Sequence, residues 1–310
     1  MNVLTFGEAL GVLRSPGRIA TDTRLEVGVG GAELNVAVGL RRLGVHSTWL
    51  GRLGTDGLGQ RIRRELRSEE VEPVVVDDPH ATGLLLKERD ALGRTVVTYH
   101  RAGSAGSRLA PLDLEDVPWS AFDLLHLTGI TPALSDTAAA AVNRALDLAT
   151  DHGVAISFDV NHRASLWLER NPTQVYRRIA ERAHVVFAGE DEAEFLVEGP
   201  HRDATGIALR LARTYDVEAV VKCGAAGAVA ARAGTAWTRE AVRTDVVDTV
   251  GAGDAFVAGY LAELLSEEDV PRRLATATAA GAAACRHAGD WENALTRAEA
   301  DTIITDPVVR

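Results

Sequence analysis

At 310 residues, with 46% hydrophobic and 25% charged residues, the chain has the balance of an ordinary globular protein with a sizeable core, which excludes a disordered, collagen-like or disulfide-stapled class. A formal net charge of -11 without an evident basic face argues against a nucleic-acid partner, and no stretch approaches the ~20 apolar residues of a membrane helix. Cys223 and Cys285 are too few for a disulfide framework or a Cys-built zinc site, and Met1–Leu13 lacks the features of a secretory leader, so a reducing cytoplasm is the expected setting.

Val3–Phe6 reads as a strand, Glu33–Leu43 as a helix closed by Gly44, His46–Leu50 as a strand and Leu58–Leu66 as an amphipathic helix with its arginines outward. Arg24–Val29 interrupts this rhythm, as do Val74–Val76, Gly83–Glu88 and Thr95–His100, which have no helix between them. Gly93 marks a hairpin turn. These short strands predict a small antiparallel sheet, inserted at about residues 11–32 and 73–102, placed to cover a site or to pair with a second subunit, though the pattern fits an extra hairpin on the edge of the main sheet nearly as well. Then come Leu124–Leu127 (strand), Asp136–Thr150 (an Ala-rich helix capped by Ser135) and Val154–Phe158 (strand). Pro172–Ala183 (helix), His184–Phe187 (strand), Thr205–Tyr215 (helix) and Ala219–Lys222 (strand) follow. Such alternation implies βαβ units and a mostly parallel sheet covered on both faces, within a single domain over 1–310.

The strongest chemical signal is Asp248-Thr249-Val250-Gly251-Ala252-Gly253-Asp254, followed by the helix-compatible run Val257–Leu265. Two glycines around an alanine leave backbone N–H groups unshielded where a helix starts, a place for a phosphate or a developing anion. Asp254 follows at once, and the helix dipole is expected to favour its ionised form, suited to accepting an alcohol proton. Spacing alone allows equally a glycine-rich turn with Asp254 as a cap. No Gly-x-x-x-x-Gly-Lys-Ser/Thr occurs, and Gly28-Val29-Gly30-Gly31-Ala32-Glu33 lacks the third glycine of a dinucleotide fold. A second signal is Gly30-Gly31-Ala32-Glu33-Leu34-Asn35. There the glycine pair permits close ligand approach and the Asn35 amide is suited to sugar hydroxyls, unless Asn35 simply caps the helix. The histidines form no pair or cluster at metal spacing, so no zinc is expected.

The two motifs, in this order and at this separation with strands between, resemble the two signatures of the PfkB/ribokinase family of carbohydrate kinases over essentially the whole chain. The resemblance implies an α/β fold, a ribokinase-like three-layer sandwich with a mostly parallel central sheet and a β-sheet lid. It further implies ATP with Mg²⁺, leaves a monovalent cation open, and assigns phosphoryl transfer to a sugar hydroxyl. By that likeness Asp254 is the catalytic base, and the amides of Gly251, Ala252 and Gly253 receive the charge. Lys222, Gly224, Ala225, Gly227 and Thr278 lie beside the nucleotide, and Glu192 helps to organise Mg²⁺ indirectly.

Two arginine segments bear on the acceptor: Tyr99-His100-Arg101 with Ser104–Ser107, and Phe158-Asp159-Val160-Asn161-His162-Arg163 at a strand end. A guanidinium is a fork of donors suited to a carboxylate, which a neutral hexose does not require, though either arginine could serve a structural ion pair. Within the family these stretches are most similar to 2-keto-3-deoxygluconate kinases. That similarity implies sugar-acid contacts from Gly30, Gly31, Asn35, Tyr99, Arg101 and Arg163, with a neutral-sugar kinase or a non-catalytic sensor as alternatives. Departures from the pattern are Leu85 and His100 at two tyrosine positions, Gly189 for the Asn of an Asn-x-x-Glu motif, and Thr278 for a nucleotide-side Asn.

Overall fold

The computed structural model describes residues 1–168, 170–199 and 203–305. Strand β1 (Asn2–Phe6) is followed by β2 (Leu10–Arg14), β3 (Glu26–Gly30) and helix α1 (Ala32–Arg42). Then come β4 (His46–Gly54), α2 (Gly57–Ser68), β5 (Glu72–Asp78), β6 (Leu84–Arg89), β7 (Thr95–His100) and β8 (Leu124–Thr128). The short α3 (Thr131–Leu134) leads into α4 (Asp136–Asp151), β9 (Ala155–Asp159), α5 (Ala164–Trp167), α6 (Thr173–Ala180) and β10 (Val185–Gly189). The chain continues as α7 (Ala204–Tyr215), β11 (Glu218–Lys222), β12 (Ala228–Arg232), β13 (Thr235–Arg239), α8 (Ala252–Leu265), α9 (Val270–Ala284) and α10 (Arg297–Thr305).

Nine strands form one sheet in the order β13-β12-β11-β10-β9-β8-β1-β4-β5, parallel except for β12 and β13. Its central strands are buried on both faces and largely apolar, interrupted by the buried Thr5, His126 and Ser157, the last two bonded to each other. Leu4, Leu125 and Phe158 pack beneath α4, α6 and α7, whereas Val3, Phe187 and Val220 face α1, α8 and α9. Helix α8 is apolar on nearly every side and is accordingly buried between the sheet and its neighbours. Helix starts follow side-chain caps: Ser135 accepts from Ala138 N, Asp203 from Gly206 N and Asp269 from Arg272 N.

The second sheet, β3-β2-β6-β7, is the lid. Its outer pairs are antiparallel, but β2 and β6 at its centre run parallel, unlike the all-antiparallel expectation. Val74–Val76 also departs from expectation. It lies in β5, paired in register with Leu50–Arg52 of β4 at the edge of the large sheet, because α2 provides the crossover that returns the chain there. With a side-chain period of two, Val12, Leu85 and Tyr99 share one lid face in register, and Arg14, Lys87 and Val97 continue it. Leu10, Val12, Leu85 and Val97 cluster on it. The hairpin of β12 and β13 and the helix α9 have no counterpart in the sequence-based elements.

Candidate active site

The carboxyl ends of β9, β10 and β11 and the N-termini of α1 and α8 meet under the lid, where open parallel sheets place their ligands. At the start of α8, Gly251 has φ 77°, and a Cβ there would stand 2.2 Å from the carbonyl oxygen of Asp290. Only glycine fits this left-handed, backbone-against-backbone position. The turn it makes places Asp254 in the first turn of α8, buried.

Two amides hold its carboxylate. Asn35 Nδ2 donates to Oδ2 at 2.7 Å, and Asn161 Nδ2 donates to Oδ1 at 3.1 Å. One Asn35 N–H is thus taken by Asp254, while its Oδ1 has no partner and stays available to accept from a ligand hydroxyl. Asn161, just beyond β9 with φ 38°, stands in the Phe158–Arg163 segment, whose sequence pattern assigns it no role. Burial pushes Asp254 up from the ordinary 3.8 to about 7, while the Asn35 hydrogen bond and nearby Arg163 pull the other way. The expected ionising effect of the helix start is thus outweighed by desolvation, which corrects the sequence-based expectation. A base near 7 is well matched to taking a hydroxyl proton near neutrality.

In front of Asp254 lies a cavity of about 460 Å³, lined by Gly31, Asn35, Tyr99, Arg101 and Arg163 among others. Gly30 is not in its wall; it ends β3, with the Asp290 carboxylate against it. Gly31 has φ 144°, and its Cβ would meet the Glu8 carbonyl oxygen at 2.5 Å, so the close approach expected of the pair belongs to Gly31. Arg101 is buried and bound to Glu8, its Nε 2.6 Å from Oε2, and lies over the Tyr99 ring at 5.3 Å. Arg163 differs. It is exposed, donates to His162 O at 3.1 Å, and has no carboxylate within ion-pair distance among the described residues. His100 alternates outward from Tyr99 and is exposed.

A second, mostly apolar cavity of about 700 Å³ is lined by Gly224, Ala225, Gly227, Phe256 and Thr278. The Thr278 hydroxyl bonds back to the Leu274 and Ala275 carbonyls of its own helix. Lys222, Thr249 and Gly253 border both cavities, so the two spaces meet at the glycine turn. Lys222 Nζ is held between both oxygens of Asp159, at 2.6 and 2.8 Å. The expectation that placed it beside a nucleotide is refined, for it stands at the junction. Glu192 lines the first cavity and accepts from His162 N at 2.8 Å and Gly189 N at 2.6 Å. No group of three His, Cys, Asp or Glu residues suited to a metal occurs among the described residues. A Mg²⁺ ion here would therefore depend on a single carboxylate such as Glu192 together with phosphate oxygens, its usual manner of binding.

Glu8, Lys87 and Asp290 also line the first cavity, and the sequence pattern assigns none of them a site role. No helix of the described residues is long and apolar enough to cross a membrane.

A buried carboxyl near neutrality in its titration, an adjoining turn of main-chain amides and two cavities joined at that turn make an arrangement suited to moving a charged group between two bound molecules. The sequence profile of the pfkB family carbohydrate kinases matches residues 3–297. The chain is 36% identical over 286 residues to a 2-dehydro-3-deoxygalactonokinase of Haloferax volcanii, covering 90% of this chain and 89% of that protein. It is 33% identical to a 2-dehydro-3-deoxygluconokinase of Bacillus subtilis, covering 96% and 93% respectively. The crystal structure of a 2-dehydro-3-deoxygluconokinase from Thermotoga maritima superposes with a TM-score of 0.90 at 27% identity, covering 98% of both chains.

Proposed function

The chain belongs to the PfkB family of carbohydrate kinases, and from that premise we propose that it transfers the γ-phosphoryl group of ATP to the terminal hydroxyl of a sugar acid, 2-keto-3-deoxygluconate or a close relative. The observation that carries the acid is Arg163. It is a guanidinium at the wall of the acceptor cavity without a carboxylate partner among the described residues, whereas Arg101 is already neutralised by Glu8. The two curated relatives named above, both kinases of dehydro-deoxy sugar acids, support the same assignment.

In this reading the acceptor occupies the smaller, polar cavity and the nucleotide the larger, apolar one, with the phosphates toward Lys222 and Gly253. ATP supplies the phosphoryl group, and Mg²⁺ on its phosphates offsets their charge. Asp254, kept in one orientation by Asn35 and Asn161, takes the hydroxyl proton as the oxygen approaches phosphorus. Ala252 N closes the turn by donating to Thr249 O at 3.3 Å, so the amides of Gly251 and Gly253 do more than that of Ala252 to receive the developing charge. Lys222, its charge offset by Asp159 as that of Arg101 is by Glu8, stands at the junction as a fixed ammonium donor. The lid excludes water, which would otherwise compete as the acceptor.

ADP release measured over a panel of sugar acids and neutral sugars tests the assignment. The highest kcat/KM is expected for a 2-keto-3-deoxy sugar acid, and a neutral hexose working best would overturn it. Arg163→Ala is expected to raise the KM for the acid ~10–100-fold, the scale of one charge-assisted contact, with the KM for ATP unchanged. Because Arg163 is exposed and engages only a neighbouring carbonyl, thermal melts should show no loss of stability in that variant.

A further inference from the structure

Of the 33 lysines and arginines only Lys87 and Lys222 are lysines, and both line the acceptor cavity. Lys222 is held by Asp159, but Lys87 is 4% exposed and its Nζ has no hydrogen-bond partner. Lys87 stands on β6, in register with Arg14 of β2. Arg14 reaches the body of the protein, donating to Ala288 O and, at 3.0 Å, to Glu292 Oε1. Arg89, two residues beyond Lys87 on the same strand, donates to Val247 O at 3.4 Å. Between these anchor points Lys87 Nζ lies 3.8 Å from Asp248 Oδ2 and 3.6 Å from Asp290 Oδ1, near enough for ion pairing and too far for good hydrogen bonds. Asp248 opens the glycine turn, its Oδ1 accepting from Val250 N at 3.2 Å, and the Asp290 carbonyl abuts Gly251. The two carboxylates therefore sit on the two segments that shape the turn, and the cation between them belongs to the lid.

We propose that Lys87 is a positioning residue that couples the seating of the lid to the shape of the Thr249–Gly253 turn, acting through Asp248 and Asp290. With the lid seated, the ammonium draws both carboxylates toward one point in a desolvated space, where the attraction is strong. With the lid raised, the carboxylates are hydrated and the turn loses that restraint. An acceptor that seats the lid thus completes the turn, whereas water alone meets a looser one. The kinetic consequence rests on the phosphoryl-transfer reading; the structural consequence does not.

Lys87→Met removes the charge and keeps the stem, and Asp248→Asn keeps an acceptor for Val250 N. Amide hydrogen exchange without substrate should be at least ~10-fold faster at Thr249–Gly253 in each variant and unchanged in α4 and α7. The double variant should be no faster than the quicker single one, because both changes break one contact. Kinetically, K87M is expected to raise the acceptor KM ~10-fold with little change in the KM for ATP, and to release more ADP per phosphorylated acceptor. Exchange at Thr249–Gly253 that matches wild type in K87M, or single effects that multiply in the double variant, overturns the proposal. Absence of transfer to every acceptor by the wild type would remove the functional reading, and the exchange result would still decide the role of Lys87. Should K87M not fold, D248N alone carries the same exchange test.

Discussion

Asp254→Asn is expected to lower kcat at least ~100-fold while ATP affinity stays near the wild-type value, as follows from losing a general base outside the nucleotide cavity. The substitution suits the site well enough for the result to be interpretable. Both Asp254 oxygens now accept from amides, and Asn35 Oδ1 has no partner. Turning the Asn35 amide over would let that oxygen accept from the new side-chain NH₂. The wild type should itself lose kcat/KM for the acceptor below about pH 7, approaching tenfold per pH unit as the buried base takes up a proton. Stability should move in the opposite direction. A carboxyl raised from 3.8 to about 7 by burial stabilises the fold while protonated, fully so below its unfolded value, and that contribution disappears as pH rises through 7. Asn carries no such penalty. D254N should therefore melt higher than wild type at pH 8, with the gap closing toward pH 4. Near-normal turnover in D254N would remove Asp254 from the role of base, and a variant less stable at pH 8 would contradict the burial argument.

The parts of the site that were legible in the sequence are those in which local chain chemistry does the positioning. Gly251 and Gly253 around Ala252, then Asp254, announce a bare backbone before a helix, and the structure places them at the start of α8. Gly31 was legible for the same reason. What the sequence hid are contacts between residues far apart along the chain. The bond from Asn35 to Asp254 spans 219 positions and that from Asn161 spans 93, so neither local spacing nor composition shows that two amides serve one carboxylate. The same distance effect explains Asp254 itself. A helix start is visible locally and suggests an ionised acid, but the desolvation that outweighs it comes from tertiary burial, with Asn35 of α1 and Asn161 beyond β9 brought against the carboxylate from far along the chain. In the fold, the alternating elements from β8 to β11 were readable because short, largely apolar strands alternate with the longer helices α4, α6 and α7. Val74–Val76 was not, because three β-branched residues pair as well with a lid strand as with β4, and the choice is made by the α2 crossover. His100 and Tyr99, adjacent in sequence, take opposite faces once β7 is paired, so only Tyr99 reaches the cavity.

Gly251→Ala and Gly253→Ala are both expected to reduce turnover, but only Gly251→Ala is expected to lower stability. At Gly251 the methyl would have to occupy a left-handed conformation, at about 1–2 kcal/mol for a non-glycine residue, and would stand 2.2 Å from the Asp290 carbonyl oxygen. Backbone opposes it, so the turn or the Asp290 segment must shift, and both border the first cavity. A loss in kcat/KM of ~10³ or more, together with a melting temperature lower by several degrees, is the expected result. At Gly253 φ lies outside the left-handed region, and the nearest atom to a new Cβ is Lys222 Nζ at 4.0 Å. Replacing a helical glycine with alanine should hold stability or raise it by about 0.5–1 kcal/mol. Yet that methyl projects where the two cavities join, beside Lys222 and Thr249, so the transferred group would be crowded and kcat should fall ~10–100-fold. Melting curves and kinetics on the two variants side by side thus separate the glycine that shapes the turn from the one that clears a path across it. A G253A enzyme with full activity would mean that the group in transit does not pass that amide, and the junction of the two cavities would then not be where transfer occurs.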